Sequence, residues 1–391
     1  MRIVVTGAGS GGHITPVLVV ARELKLIRPG IEIIYIGHKG DSLADIPAHD
    51  ENIDHVYNVR AGKLRRYHGE GLKQFLDIPT VIKNIRDMVF VGVGIWQSYW
   101  LLRRLRPDAI FIKGGFVGIP VGLAAAALRI PYLTHDSDAL PGLANRVVAP
   151  WAKIHAVGLP KEVYNYPQNK TVTVGVPHAP EYHPVDEQGI GQLRERLGLG
   201  HYRKVILVTG GGLGAQRVNK AVLACVPDLL RRYPDLAIVH IAGRKDESTI
   251  VQTYKTILPT KEQRRVITKG FVNNLFEYSG ASDVVITRAG ATAMAEFASQ
   301  AKACVVIPNP LLTGGHQLHN AKVLDKTKAV RMVSESDLAA DPLTLMAPVV
   351  DLLDHPDRAR ELGKKLSKLA RPDAAHRLAM LLLEIAGTSP A

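Results

Sequence analysis

Cysteine is almost missing from this chain: two in 391 residues, Cys225 and Cys304. Both lie in apolar runs, Val222-Leu223-Ala224-Cys225-Val226 and Ala303-Cys304-Val305-Val306, so inert core thiols in a reducing compartment are expected rather than a disulfide framework or a nucleophile. His/Cys metal spacing, a nucleophile elbow and a P-loop are lacking too, so no metal-binding residues are expected. The longest apolar stretch, Met88 to Leu102, is broken by Gln97 and Ser98 and falls short of the ~20 residues of a spanning helix. Met1-Arg2-Ile3-Val4-Val5 runs directly into a glycine loop, leaving no room for a cleavable leader, so a cytoplasmic protein is expected.

Acidic residues are also in deficit, 36 against 49 Lys and Arg, for a formal net charge of +13. Residues 60–106 alone hold 10 basic and 3 acidic residues. Lys63, Arg65, Arg66, Lys83, Arg86, Arg103, Arg104 and Arg106 are interleaved there with Tyr67, Phe75, Phe90, Trp96, Tyr99 and Trp100. With the aromatics exposed, that mixture suits an anionic membrane surface or nucleic acid; with the aromatics packed inside, it is a solvated face.

What is abundant is glycine in a particular setting. Gly7-Ala8-Gly9-Ser10-Gly11-Gly12-His13 follows the β-branched run Ile3-Val4-Val5-Thr6, and Gly210-Gly211-Gly212-Leu213-Gly214-Ala215-Gln216 follows Val205-Ile206-Leu207-Val208. Each is a strand, a tight turn and a helix start, where free backbone N–H groups and the helix dipole hold anions. Strand-length apolar runs alternate with amphipathic stretches: Ile31–Ile36, Ala109–Ile112, Tyr132–Thr134, Val172–Val174, then Val205–Val208, Ala237–Ile241, Val266–Thr268, Val284–Thr287 and Ala303–Ile307. The class is α/β, with two Rossmann-like doubly wound domains expected. The pattern lapses around Pro177–Asp186. The expected division is therefore 1–180, a linker at 181–200, a second domain at 201–370, and a C-terminal helix within 371–391 that packs back on the first domain.

The first loop matches G-x-G-x-x-G at Gly7, Gly9 and Gly12, the dinucleotide fingerprint. That reading needs an acid at the end of the second strand to hold a ribose. The strand instead ends Tyr35-Ile36-Gly37-His38, with no acid before Asp41. His13 stands in the first turn of the helix, where the dipole favours a neutral imidazole suited to a general base. Glu296 falls about two turns into a helix among Ala293, Met294, Ala295 and Phe297. A carboxylate there is costly unless paired or ligand-bound, and its two oxygens match a ribose diol. Asp136-Ser137-Asp138 has the D-x-D form some glycosyltransferases use for metal, but its place before Pro141-Gly142 suits a cleft-lining loop.

Seven segments then fall in a recognisable order: Gly11-Gly12-His13-Ile14-Thr15-Pro16, Gly62-Lys63-Leu64-Arg65-Arg66-Tyr67, Lys113-Gly114-Gly115-Phe116-Val117, His135-Asp136-Ser137-Asp138 with Pro141-Gly142-Leu143-Ala144-Asn145, Gly210 to Asn219, Arg288-Ala289-Gly290-Ala291 to Glu296, and His316-Gln317 with Asn320-Ala321. The chain resembles the lipid-linked N-acetylglucosaminyltransferases of peptidoglycan synthesis, glycosyltransferase family 28, over nearly its whole length. The resemblance implies the two-domain GT-B fold and an inverting single displacement from UDP-N-acetylglucosamine, a substrate rather than a cofactor, to a polyprenyl-diphosphate-linked muramoyl peptide. It also implies peripheral docking at the cytoplasmic face of the membrane, and it turns the basic segment away from nucleic acid.

Position by position, the resemblance implies that Gly212, Leu213, Gly214 and Ala215 hold the donor diphosphate, and that Phe271 and Val272 flank the uracil. Glu296 would take the ribose, with Arg288, Ala291 and Gln317 completing the donor side. Gly11, Gly12, His13, Thr15, Arg65, Arg66, Asp136, Asp138 and Asn145 would form the acceptor side, with His13 and Asp138 catalytic. The chain departs from the family at Asp136, where glutamate is usual, at Gly118 and Gly212, where serine is common, and at His178-Ala179, where an arginine is expected. These departures bear on the sugar rather than on the fold. A transferase acting on diacylglycerol and a UDP-sugar 2-epimerase are the neighbouring enzyme classes. A non-catalytic nucleotide- or nucleic-acid-binding module would leave Glu296 and Gln317 without a task.

Overall fold

The computed structural model describes the chain except residues 10, 42, 63–77, 212–214, 311–314 and 388–391, with the backbone alone at 78–82. The chain divides into two units. The first takes in Met1–His178, Leu311–His316 and Arg371–Ala391; the second takes in Ala179–Pro310 and Gln317–Ala370.

The first unit is built on seven strands: β1 (Arg2–Thr6), β2 (Glu32–His38), β3 (His55–Val59), β4 (Ala109–Ile112), β5 (Tyr132–Asp136), β6 (Ile154–Val157) and β7 (Thr171–Thr173). All pairings are parallel, in the order β3-β2-β1-β4-β5-β6-β7. Helices cover both faces of such a sheet, which is why the central strands read as unbroken apolar runs. One face carries Ile3, Val5 and Phe111 against Val17, Val20 and Leu24 of the helix Gly11–Ile27; the C-terminal helix Ala374–Ile385 adds Leu378, Leu382 and Leu383 to the same core. The other face carries Val4, Ile110 and Ile112 with Val121 and Ala125 of the helix Gly118–Leu128 and Leu102 of the helix Ile78–Leu105.

The second unit repeats the plan with β8 (Lys204–Thr209), β9 (Leu236–Ile241), β10 (Val266–Lys269), β11 (Val284–Thr287), β12 (Ala303–Val306) and β13 (Arg331–Met332), all parallel, in the order β10-β9-β8-β11-β12-β13. Residues 181–200 do not behave as a linker. Asp186 caps the helix Glu187–Arg196 by accepting from the Gly189 N–H at 2.8 Å, and Leu193 and Leu199 are buried with Val205 and Leu207 in this unit's core. Cys225 and Cys304 are free and buried, and burial pushes the Cys225 thiol up to about 12.

Strand order fixes where ligands can bind. In each sheet the order reverses beside the first strand, between β1 and β4 and between β8 and β11. The crevice past the carboxyl ends at such a switch point is the usual ligand site. The turns after β1 and β4 are Gly7-Ala8-Gly9 and Lys113-Gly114-Gly115; those after β8 and β11 are Gly210-Gly211 and Arg288-Ala289-Gly290.

Candidate active site

In the first unit the two turns abut. Gly9 and Gly115 both have positive φ, +86° and +77°. A Cβ on Gly9 would come within 2.5 Å of the Phe116 ring, and one on Gly115 within 2.6 Å of the Ala8 carbonyl, so only glycine permits this approach. The Gly9 N–H already donates to the Asp41 carboxylate at 2.8 Å, and the Tyr35 hydroxyl donates to the Gly7 carbonyl. Asp41 therefore serves the turn itself.

Gly11, Gly12 and Thr15 are exposed along the first turn of the helix Gly11–Ile27, with His13 half-buried between them. Burial, reinforced by the positive charge of Lys113, drives the His13 imidazole down to about 4, with Asp138 opposing. It is neutral at physiological pH and able to accept a proton. A Cβ on Gly114 would meet the Asn145 amide at 3.6 Å and the His13 ring at 3.7 Å, which puts His13 and Asn145 on either side of that glycine.

Asp136, expected to bind the acceptor, has a different task. One oxygen accepts from the Gly142 N–H (2.9 Å) and the Asn145 Nδ2 (3.0 Å), and the other from the Tyr166 hydroxyl (2.9 Å). The buried carboxylate thus fixes the loop and Asn145, whose amide also donates to the His135 carbonyl at 2.9 Å. Asp138 is half-exposed, and its charge acts on both His13 and Lys113. His178, at the missing arginine, is buried and donates Nδ1–H to the Val176 carbonyl at 2.9 Å. Arg65 and Arg66 lie outside the described residues.

In the second unit, the helices Gln216–Arg232 and Ala291–Ser299 start at the switch point with no side chain capping either one. Their first-turn N–H groups, including that of Ala291, suit an anion. Gly212, Leu213 and Gly214 lie outside the described residues; Gly211 has φ +81°, and Ala215 is buried. Glu296 is half-buried, and burial lifts its carboxyl to about 8 although the Tyr182 hydroxyl donates to it. Gln317 accepts from the Asn309 N–H at 2.9 Å, and Asn320 donates to the Ala289 carbonyl at 3.0 Å, which steadies the turn after β11. Phe271, 46% exposed just beyond β10, offers a flat ring under the Arg244 guanidinium (4.5 Å), with Val272 half-buried beside it.

Arg288, expected on the donor side, is directed elsewhere. Its buried guanidinium lies 2.5 Å from Glu335 and donates to the Ile307 carbonyl at 3.1 Å, while Arg217 shares the same Glu335. The ion-paired group ties β11, β12 and the helix Glu335–Ala340 together. Lys113, Tyr166 and Tyr182 are the residues sequence reasoning left without a role. A lysine closing an apolar strand in front of two glycines was the visible signal for the first; the two tyrosines gave none.

Two parallel sheets, each with a glycine turn at its switch point, define the class: a GT-B glycosyltransferase fold. Residues 3–157 match the glycosyltransferase family 28 N-terminal domain, and residues 205–378 match the C-terminal domain. A relative from Bacillus pumilus is 31% identical over 99% of this chain and all of its own length, and one from Coxiella burnetii is 33% identical over 96% of each. Both are named UDP-N-acetylglucosamine--N-acetylmuramyl-(pentapeptide) pyrophosphoryl-undecaprenol N-acetylglucosamine transferase. The crystal structure of Acinetobacter baumannii MurG superposes with a TM-score of 0.71 at 23% identity, over 98% of this chain and 99% of that one. The chain belongs to glycosyltransferase family 28.

Proposed function

We propose that this enzyme transfers N-acetylglucosamine from UDP-N-acetylglucosamine to the muramoyl sugar of a polyprenyl-diphosphate-linked muramoyl peptide, with inversion. The observation that carries the reading is the end-to-end similarity to relatives of that name, in a chain whose first-unit switch point bears a histidine held neutral. His13 accepts the proton of the attacking hydroxyl, which displaces UDP from the anomeric carbon in one step. The departing diphosphate gathers charge at the uncapped helix starts of the second unit, where fixed N–H dipoles stabilise it. Glu296 receives the ribose hydroxyls, and the Phe271 ring receives the base.

Peripheral membrane docking belongs to the same reading. Among the described residues, no helix is long and apolar enough to cross a bilayer. The helix Ile78–Leu105 exposes Ile85, Met88, Val89, Trp96 (66%) and Trp100 (51%), whose sequence spacing places them all on one face of the helix. Arg103 stacks on Trp100 at 5.5 Å, while Tyr99 packs inward. An apolar stripe ending in arginines suits the headgroup boundary of an anionic leaflet, the cytoplasmic one where the nucleotide sugar is. The decisive assay presents purified protein with a panel of UDP-sugars and a lipid-linked muramoyl acceptor. Transfer confined to diacylglycerol, or acceptor-free epimerisation of the sugar nucleotide, would overturn the reading.

A further inference from the structure

Lys113 is a lysine in an uncommon position. It is 3% exposed, directly past β4 at the switch point, and its charge is felt by His13, His135, Asp136 and Asp138. Among the described residues its ammonium makes no hydrogen bond and no direct ion pair, and the Asp138 and Asp136 charges reach it only through space. Both Asp136 oxygens are already engaged by Gly142, Asn145 and Tyr166. A buried cation that no carboxylate contacts directly is expensive, and burial depresses its pKa against the pull of the Asp138 and Asp136 charges. Such a group persists where a ligand supplies the anion.

The surroundings describe that ligand. Asn145 Oδ1 is buried without a hydrogen-bond partner, and the two donations from its Nδ2 fix which way the amide faces. An acceptor oxygen 3.7 Å from the Cβ position of Gly114, the residue that follows the lysine, fits a molecule that carries both hydroxyls and negative charge. The exposed start of the helix Gly11–Ile27 adds its dipole at His13.

We propose that the Lys113 ammonium binds the diphosphate of the lipid-linked acceptor, holding that substrate while His13 and Asn145 address its sugar. The inference rests on the transferase reading above. A lysine serves here as a compact point charge, which the rotating oxygens of a diphosphate accommodate.

The test uses full-length protein saturated with UDP, so that the donor site is filled, and titrates inorganic pyrophosphate into it calorimetrically. Lys113→Met and Lys113→Gln should weaken pyrophosphate at least tenfold, and Lys113→Arg should retain most of the affinity. In turnover, Lys113→Gln should raise the acceptor KM at least tenfold and leave the donor KM unchanged. Pyrophosphate binding equal to wild type in both neutral variants overturns the proposal, as does a donor KM that rises in parallel. Where Lys113→Met does not fold, Lys113→Gln with a wild-type melting midpoint decides. Lys113-dependent pyrophosphate binding without transfer to a muramoyl acceptor would sink the transferase reading and leave the anion site standing; normal transfer with Lys113-independent binding would do the reverse.

Discussion

On the proposed ribose contact, Glu296 should make donor binding depend on pH. Its carboxyl is held at about 8 by burial, far above the ordinary 4.5, and the Tyr182 hydroxyl offsets only part of that. Ribose hydroxyls donate, so the ionised carboxylate is the form that receives them. With a pKa of about 8, roughly 3% of the free enzyme is ionised at pH 6.5 and roughly 76% at pH 8.5. The affinity for UDP-N-acetylglucosamine, whose diphosphate does not titrate in this range, should therefore rise about 25-fold between those values, equivalent to about 1.9 kcal/mol. Calorimetry across the range reads it directly. Glu296→Gln should bind weakly and flatly at every pH, and Tyr182→Phe, which removes the stabilising donor, should move the midpoint higher. Stability has the opposite sign. A folded pKa above the unfolded one means the native state binds the extra proton, so stability is fully present below about 4.5 and is lost as pH rises through about 8. Glu296→Gln should accordingly raise the melting temperature of the ligand-free protein at pH 8.5 more than at pH 5.5. A wild-type affinity that is flat from pH 6.5 to 8.5, or a Glu296→Gln variant that keeps the full pH dependence, would refute the reasoning.

His13→Ala should lower kcat roughly 10²-fold or more at saturating substrates. Because wild-type His13 protonates only near 4, kcat should show no acid limb from it between pH 5.5 and 8; an unchanged kcat in the variant would reduce His13 to packing. Replacing Trp96 and Trp100 by Ser should cut binding to anionic vesicles at least tenfold while calorimetric UDP affinity stays put; equal cosedimentation would remove the docking stripe. Leu382→Ala opens a fully buried position shared with Val17, Val20 and Leu24, and should cost about 2–5 kcal/mol in denaturant titration, whereas a loss under about 1 kcal/mol would deny the C-terminal helix its place in the first unit's core.

Most strands legible from sequence are those buried on both faces, such as Ala109-Ile110-Phe111-Ile112, because covering helices demand apolar residues at every position; the partly buried edge strands β7 and β10 were legible from their β-branched runs. β3, β6 and β13 were not. β3 and β13 are partly exposed edge pieces, and β6 carries a buried histidine, His155, stacked on Tyr166 at 4.1 Å and within 3.0 Å of Thr134 Oγ1. The site was legible in its local parts and hidden in its long-range ones. The glycine turns announce themselves by composition, yet β1 meets β4 only through the strand order, which brings Gly9 against Phe116 across more than a hundred residues. Asp136 was given a ligand's task because its partner Tyr166 lies 30 residues away, and Arg288 because Glu335 is farther still. Polar side chains near a switch point look alike in sequence; whether their atoms are engaged is decided by contacts no local pattern reveals.

The same contacts separate the two glycine turns. At the first, the Gly9 N–H that a dinucleotide pyrophosphate would claim already donates to Asp41, and that carboxylate repels a second anion approaching the turn from the β2 side. At the second, the helix starts at Gln216 and Ala291 carry no capping side chain, so their donors are open to a diphosphate. On the β4 side of the first unit's switch point, Lys113 supplies positive charge. On the proposal above an anion there is held chiefly by that side chain, and its binding should weaken at least tenfold when the charge is removed. In the second unit, backbone donors cannot be removed by any single side-chain change, so donor phosphate affinity should be broadly tolerant of point substitution, while the ribose contact proposed for Glu296 should not. On this reading the two units hold their anions by different means, and only the one proposed in the first unit should yield to a single substitution.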